Sequence, residues 1–117
     1  MSGDKPRSWV RVAALAAFDG HDVLGVVCEG RRLALYRLAD GIFASTDTCP
    51  HHGAPLSHGC VVNGLIECPV HFALFDIRTG APDGAVTMNR LRTLPAKVEQ
   101  DDVYVDLSGL EEIAHEG

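Results

Sequence analysis

The sequence predicts an all-β fold built from short antiparallel strands, and three observations carry that reading. Short runs rich in valine, isoleucine and aromatic residues recur through the chain, and such side chains fit the pleated surface of a strand. Turn-forming dipeptides separate the runs: Asp19-Gly20, Glu29-Gly30, Asp40-Gly41 and Asn63-Gly64. The runs recur roughly every 8–12 residues, the spacing of a β-sandwich or small barrel.

The elements follow in order. Trp9-Val10-Arg11-Val12 alternates and forms a first strand. Ala13 to Phe18 is apolar and makes a short helical turn or a loop before Asp19-Gly20. Val23 to Cys28 is a second strand, Leu33 to Leu38 a third, and Ile42 to Ser45 a fourth beyond the hairpin signal Asp40-Gly41. Asn63-Gly64 lies between Cys60-Val61-Val62 and Leu65-Ile66 and predicts another hairpin, since both turn positions tolerate positive φ. Phe75 to Ile77 ends the next arm, Thr79-Gly80 turns, and Ala81-Pro82-Asp83-Gly84 reads as a loop. Leu91 to Glu99 reads as one long strand. Pro95 inside it cannot donate to a ladder, so the strand is expected at an edge or with a bulge. Gln100-Asp101 turns into the alternating strand Asp102 to Asp106, and the tail 108–117 holds a frayed helical turn or is disordered.

The length of 117 residues suits one domain with a modest core. A net charge of −6 argues against a nucleic-acid partner, which calls for a basic face. An acidic chain is steered instead towards basic patches on other proteins. No run of 18 apolar residues exists to span a membrane, and the N-terminus MSGDKPRSWV has no secretory pattern. The expectation is a cytoplasmic protein with reduced thiols.

The chemistry concentrates in Cys49 to Asp76. Cys49-Pro50-His51 and Cys68-Pro69-Val70-His71 each offer one cysteine and one histidine, with sixteen residues between His51 and Cys68. The Asn63-Gly64 hairpin folds the second pair back beside the first. Two thiolates and two imidazoles fill four coordination positions, which a structural zinc could use. The common zinc spacing, however, groups like with like. Here each arm mixes the types, which suits a two-iron cluster where each arm gives one ligand to each iron. Cys28 and Cys60 are not spaced as ligands and read as structural thiols.

The pattern C-x-H-x16-C-x-x-H resembles the Rieske [2Fe–2S] motif, in which two histidines replace two cysteines on one iron. The resemblance extends over about residues 8–107. It implies the Rieske fold: an antiparallel β-sandwich base domain (about 8–45 and 83–107) carrying an inserted cluster-binding subdomain (about 46–82), all within one domain 1–117. It also implies one [2Fe–2S] cluster, with Cys49 and Cys68 on the buried iron and His51 and His71 on the outer iron.

Departures from the family pattern shape the expected potential. High-potential Rieske proteins carry a disulfide between the cluster loops, and the matching positions here are Ala54 and Val70. They also carry a serine and a tyrosine that bond the cluster, where this chain has Ala73 and Phe75. Fewer donors leave the reduced cluster less stabilised, so the potential is expected at about −150 mV, the low end of the Rieske range. Phe72 stands where many relatives have glycine and packs over the cluster or serves as a docking contact. The closing-loop proline is Pro82 rather than one near Val86. His52 and His58 read as exposed loop residues, and His21 and His115 as solvated.

No Ser-His-Asp set, phosphate-cradling loop or dinucleotide fingerprint accompanies the motif. The expected role is therefore an electron carrier rather than an enzyme. The resemblance points to the ferredoxin of a bacterial aromatic-ring-hydroxylating dioxygenase system, taking electrons from an NAD(P)H-dependent flavoprotein reductase and delivering them to a terminal oxygenase. The segment from Val86 to Glu99 looks like that of naphthalene-type ferredoxins. The alternatives are the small Rieske subunit of an assimilatory nitrite reductase and, in another class, a zinc-stabilised binding module.

Overall fold

The computed structural model describes residues 8–50, 53–70, 72–84 and 89–110. The expected ligands His51 and His71 lie outside them, as do His52, Val86 and His115. Eleven strands are seen among the described residues, and every pairing is antiparallel. β1 (Trp9–Ala14), β11 (Asp102–Asp106) and β10 (Ala96–Glu99) form one sheet in the order β1-β11-β10. β2 (Val23–Cys28), β3 (Arg31–Leu38), β4 (Gly41–Thr46) and β9 (Thr93–Leu94) form a second in that order. β5 (Cys60–Val62), β6 (Leu65–Glu67), β7 (Leu74–Asp76) and β8 (Pro82–Asp83) form a third, smaller meander.

Turn chemistry sets the registers. Asn63 and Gly64 take φ of 52° and 79° between Val62 and Leu65, which pair directly, as a two-residue hairpin of this type requires. Glu29 and Gly30 do the same between β2 and β3. β1 runs two residues beyond the expected Val12 and carries a bulge between Arg11 and Ala13. A 3-10 helix, Leu15–Phe18, then drives Phe18 fully into the core. The third strand starts at Arg31, two residues earlier than its apolar run, because the hairpin pairs Cys28 with Arg31.

Two expectations are corrected. Leu91 to Glu99 is not one strand. β9 pairs with β4 in one sheet and β10 with β11 in another, with Pro95 at the crossing. Proline has no N–H to give either ladder, while its carbonyl accepts from the Asp106 amide at 3.0 Å. The sequence 81–84, expected as a loop, contains β8: Pro82 faces Phe75 and Asp83 faces Leu74 at the sheet edge, where proline is tolerated.

The buried residues form two clusters with β3 as the wall between them. Leu33 and Leu35 face one, with Phe18, Val103 and Val105. Ala34 and Tyr36 face the other, with Cys49, Cys68, Ile66 and Phe75. A strand covered on both faces needs an uninterrupted apolar run, and Leu33-Ala34-Leu35-Tyr36 supplies it. Leu107 and Leu110 pack into the first cluster, so the start of the tail belongs to the core.

Candidate metal centre

Two loops carry the two cysteines, and they are built alike. The first leaves β4 and is pinched by a bridge between Thr48 and Pro55. Within it the Cys49 amide donates to the Ala54 carbonyl at 2.8 Å. The second joins β6 to β7, and there the Cys68 amide donates to the Ala73 carbonyl at 2.7 Å. Each loop thus opens on its cysteine and closes on an alanine five positions later. In each, the residue before that alanine is left-handed: Gly53 at φ 80° and Phe72 at φ 57°.

Packing against the base brings the loops together. The buried Asp47 carboxylate accepts from the Ser57 amide at 2.6 Å and from its hydroxyl at 2.8 Å. The Leu56 amide donates to the Asp47 carbonyl at 3.1 Å, so Asp47 spans the mouth of the first loop. Gly25 of β2 lies against this latch, where a Cβ would stand 2.6 Å from the Ser57 hydroxyl oxygen. Gly59 brings the loop to β6: a Cβ there would sit 2.0 Å from the Glu67 carbonyl oxygen. The segment after β8 returns to the same place. Asn89 Nδ2 donates to the Pro50 carbonyl at 3.3 Å, and the Leu91 amide to Gly80 at 2.8 Å.

Cys49 and Cys68 therefore lie at the roots of their loops, 1% and 0% exposed, close enough for Cys49 to act on the titration of Cys68. Burial pushes the Cys68 thiol up; the Val70 amide directed at its sulfur opposes this, and Cys49 adds to it. Two buried, adjacent sulfurs with a backbone donor aimed at one of them fit a site for a soft metal or an iron–sulfur cluster. Metal ligation requires the thiolate, so binding here releases protons.

The other expected positions divide. Cys28 is buried, with its thiol raised by burial and by Glu29, as an inert structural cysteine should be. Cys60 is a free cysteine exposed on β5. His58 is exposed at the end of the 3-10 helix Leu56–His58, and His21 is exposed in its turn. Phe72 is 66% exposed rather than packed over the loop roots. The Asp47–Ser57 latch and the close approach at Gly59 escaped the sequence reading, because nothing local marks which carboxylate faces which serine ten residues away.

The chain belongs to the Rieske [2Fe–2S] domain family, whose model matches residues 8–95. The fold is the Rieske fold, and the family binds one [2Fe–2S] cluster. The chain is 39% identical over 100 residues to the ferredoxin component of the naphthalene 1,2-dioxygenase system of Pseudomonas aeruginosa, covering 86% of this chain and 96% of that one. Among solved structures, the ferredoxin of carbazole 1,9a-dioxygenase from Nocardioides aromaticivorans IC177 superposes with a TM-score of 0.78 at 29% identity, covering 85% of this chain and 97% of that one. A complex of reduced oxygenase and oxidized ferredoxin in carbazole 1,9a-dioxygenase matches with a TM-score of 0.77 at 32% identity, covering 86% and 94%. A putative nitrite reductase small subunit shares the fold, with a TM-score of 0.71 at 24% identity, covering 84% and 97%.

Proposed function

We propose that this chain is a low-potential electron carrier, not an enzyme, that delivers single electrons to a terminal ring-hydroxylating oxygenase. The observation that carries the reading is the pair of buried, neighbouring cysteines Cys49 and Cys68 at the roots of two matching loops. The named relative that is 39% identical along nearly its whole length, a dioxygenase-system ferredoxin component, supports the partner. The complex of a related ferredoxin with its oxygenase supports direct contact with that partner. The domain is organised as a base of about 8–45 and 83–107 carrying a cluster subdomain of about 46–82.

In this reading Cys49 and Cys68 hold the inner iron, and His51 and His71 the outer iron. The bound cluster supplies one-electron chemistry. Ile66, Ala73 and Phe75 belong to the same buried apolar cluster as the two cysteines and keep water from it. The Val70 amide orients the Cys68 sulfur and partly offsets its charge. Phe75 is fully buried and has no hydroxyl, and Ala73, also fully buried, brings none either. The shortage of donors is what keeps the potential low. A flavoprotein ferredoxin reductase using NAD(P)H is the electron source. The compartment is the cytoplasm, where the free cysteines Cys28, Cys49, Cys60 and Cys68 stay reduced. Among the described residues no helix is long and apolar enough to cross a membrane.

Electron paramagnetic resonance of the reduced protein, with a redox titration on the same sample, tests this. A Rieske signal with a midpoint of about −150 mV is expected. A midpoint several hundred millivolts higher would overturn the low-potential carrier and the reading of Ala73 and Phe75. A colourless protein carrying zinc would remove electron transfer altogether.

A further inference from the structure

The geometry points to Phe72 as the apolar contact through which the electron-accepting protein seats on this carrier, an inference that rests on the electron-transfer reading above. Phe72 occupies the left-handed position of its loop, φ 57°, while the matching position of the first loop is a glycine, Gly53. Left-handed backbone carries a steric cost for any side chain with a Cβ, so glycine is the usual occupant. Strain of this kind persists where the surrounding structure or a function demands it. Packing does not demand it here. The ring is 66% exposed, and neighbouring Val70 is 36% exposed, so neither side chain is consumed by the core. A ring two-thirds exposed returns little of that cost through packing.

The chemistry of the two loops identifies what covers them. Residues 49–56 and 68–75 contain no aspartate, glutamate, lysine or arginine, in a chain whose net charge is −6. Two loops without charged side chains on an acidic molecule repel no partner charge and ask for no counter-charge, so their complement is an apolar recess. Phe72 directly follows the proposed outer ligand His71, and a protein that takes an electron through that imidazole has to close over the adjoining ring. The occupant is therefore the acceptor oxygenase, with an apolar recess at the entry to its own redox centre. A large rigid ring at the centre of a contact is the type of residue that carries binding energy. The net charge of the carrier then sets the encounter rate and its salt dependence, while Phe72 sets how long the complex lasts.

The test compares the cluster-loaded wild type with Phe72→Gly, Phe72→Ala and Phe72→Leu, using the oxygenase of a naphthalene 1,2-dioxygenase system as acceptor. Cluster content, midpoint potential and the rate of reduction by dithionite should be the same in all four. The thermal midpoint of Phe72→Gly should not fall, since glycine relieves the left-handed backbone. The carrier concentration giving half-maximal electron delivery should rise about tenfold in Phe72→Gly and Phe72→Ala. The salt dependence of delivery should keep its slope, and Phe72→Leu should recover most of the loss. Half-saturation unchanged in both truncations, with clusters intact, overturns the contact at Phe72 and leaves the carrier reading standing. A wild type that carries its cluster but delivers no electron to the oxygenase overturns the partner reading itself.

Discussion

Ala73 lets the proposed low potential be tested through one side chain. Its carbonyl closes the second loop on the Cys68 amide, and its methyl group is fully buried in the same cluster as both sulfurs. A hydroxyl introduced there would be buried in the same cluster as the two cysteines. Ala73→Ser should therefore raise the midpoint potential by adding a donor that stabilises the reduced state. A redox titration reads the shift, and an unchanged midpoint would place the position 73 side chain away from the sulfurs. Phe75 stands beside it without a hydroxyl, and the two together account for the low potential expected of this chain.

At the scale of the element, the first loop is held by one carboxylate. Asp47 receives two hydrogen bonds from Ser57 through its side chain and one from Leu56 through its carbonyl. Its own amide donates to the Arg32 carbonyl at 3.1 Å, which ties the loop mouth to β3. Asp47→Ala removes the acceptor from a partly buried amide and hydroxyl. The loss should be about 1–3 kcal/mol of unfolding free energy, read by urea denaturation of the cluster-free and cluster-loaded protein. The cluster-free form should lose more, because a bound cluster supports the same loop. Equal stability of the variant and wild type would show that water replaces the carboxylate at no cost.

For the whole molecule, β3 matters most, since both cores lean on it. Tyr36 carries the second core on this wall, and its hydroxyl meets the Ser45 hydroxyl of β4 at 2.7 Å. Burial pushes the phenol well above its ordinary value of 10.0; the Ser45 bond works against that rise and the Asp47 charge adds to it. A folded state that holds its proton more tightly than the unfolded chain is at full stability below pH 10 and loses stability as the pH rises past it. Tyr36→Phe keeps the ring and loses the hydroxyl bond, at a cost of about 1 kcal/mol near neutral pH. The gap between variant and wild type should narrow as the pH is raised above 10. Chemical denaturation at stepped pH measures it, and a constant gap would show that Tyr36 titrates alike in both states.

What the sequence determined by itself was the chemistry and most of the strands. Two cysteine-histidine arms and an Asn-Gly turn between apolar runs are local facts, and local sterics are enough to make a hairpin return one arm beside the other. Short strands with turn signals between them are legible for the same reason. The tertiary structure decided the rest, because it depends on which surfaces meet. Pro95 announces a break, but only the packing of β4 against β9 and of β11 against β10 sends its two sides into different sheets. Pro82 reads as a loop until an edge strand is needed beside β7. The Asp47–Ser57 latch and the meeting of Cys49 with Cys68 join residues far apart in sequence, and only burial selects those pairs. Phe72 is marked in the sequence as an aromatic residue where many relatives have glycine; the left-handed backbone and the exposure that decide between packing and docking exist only once the loop is folded.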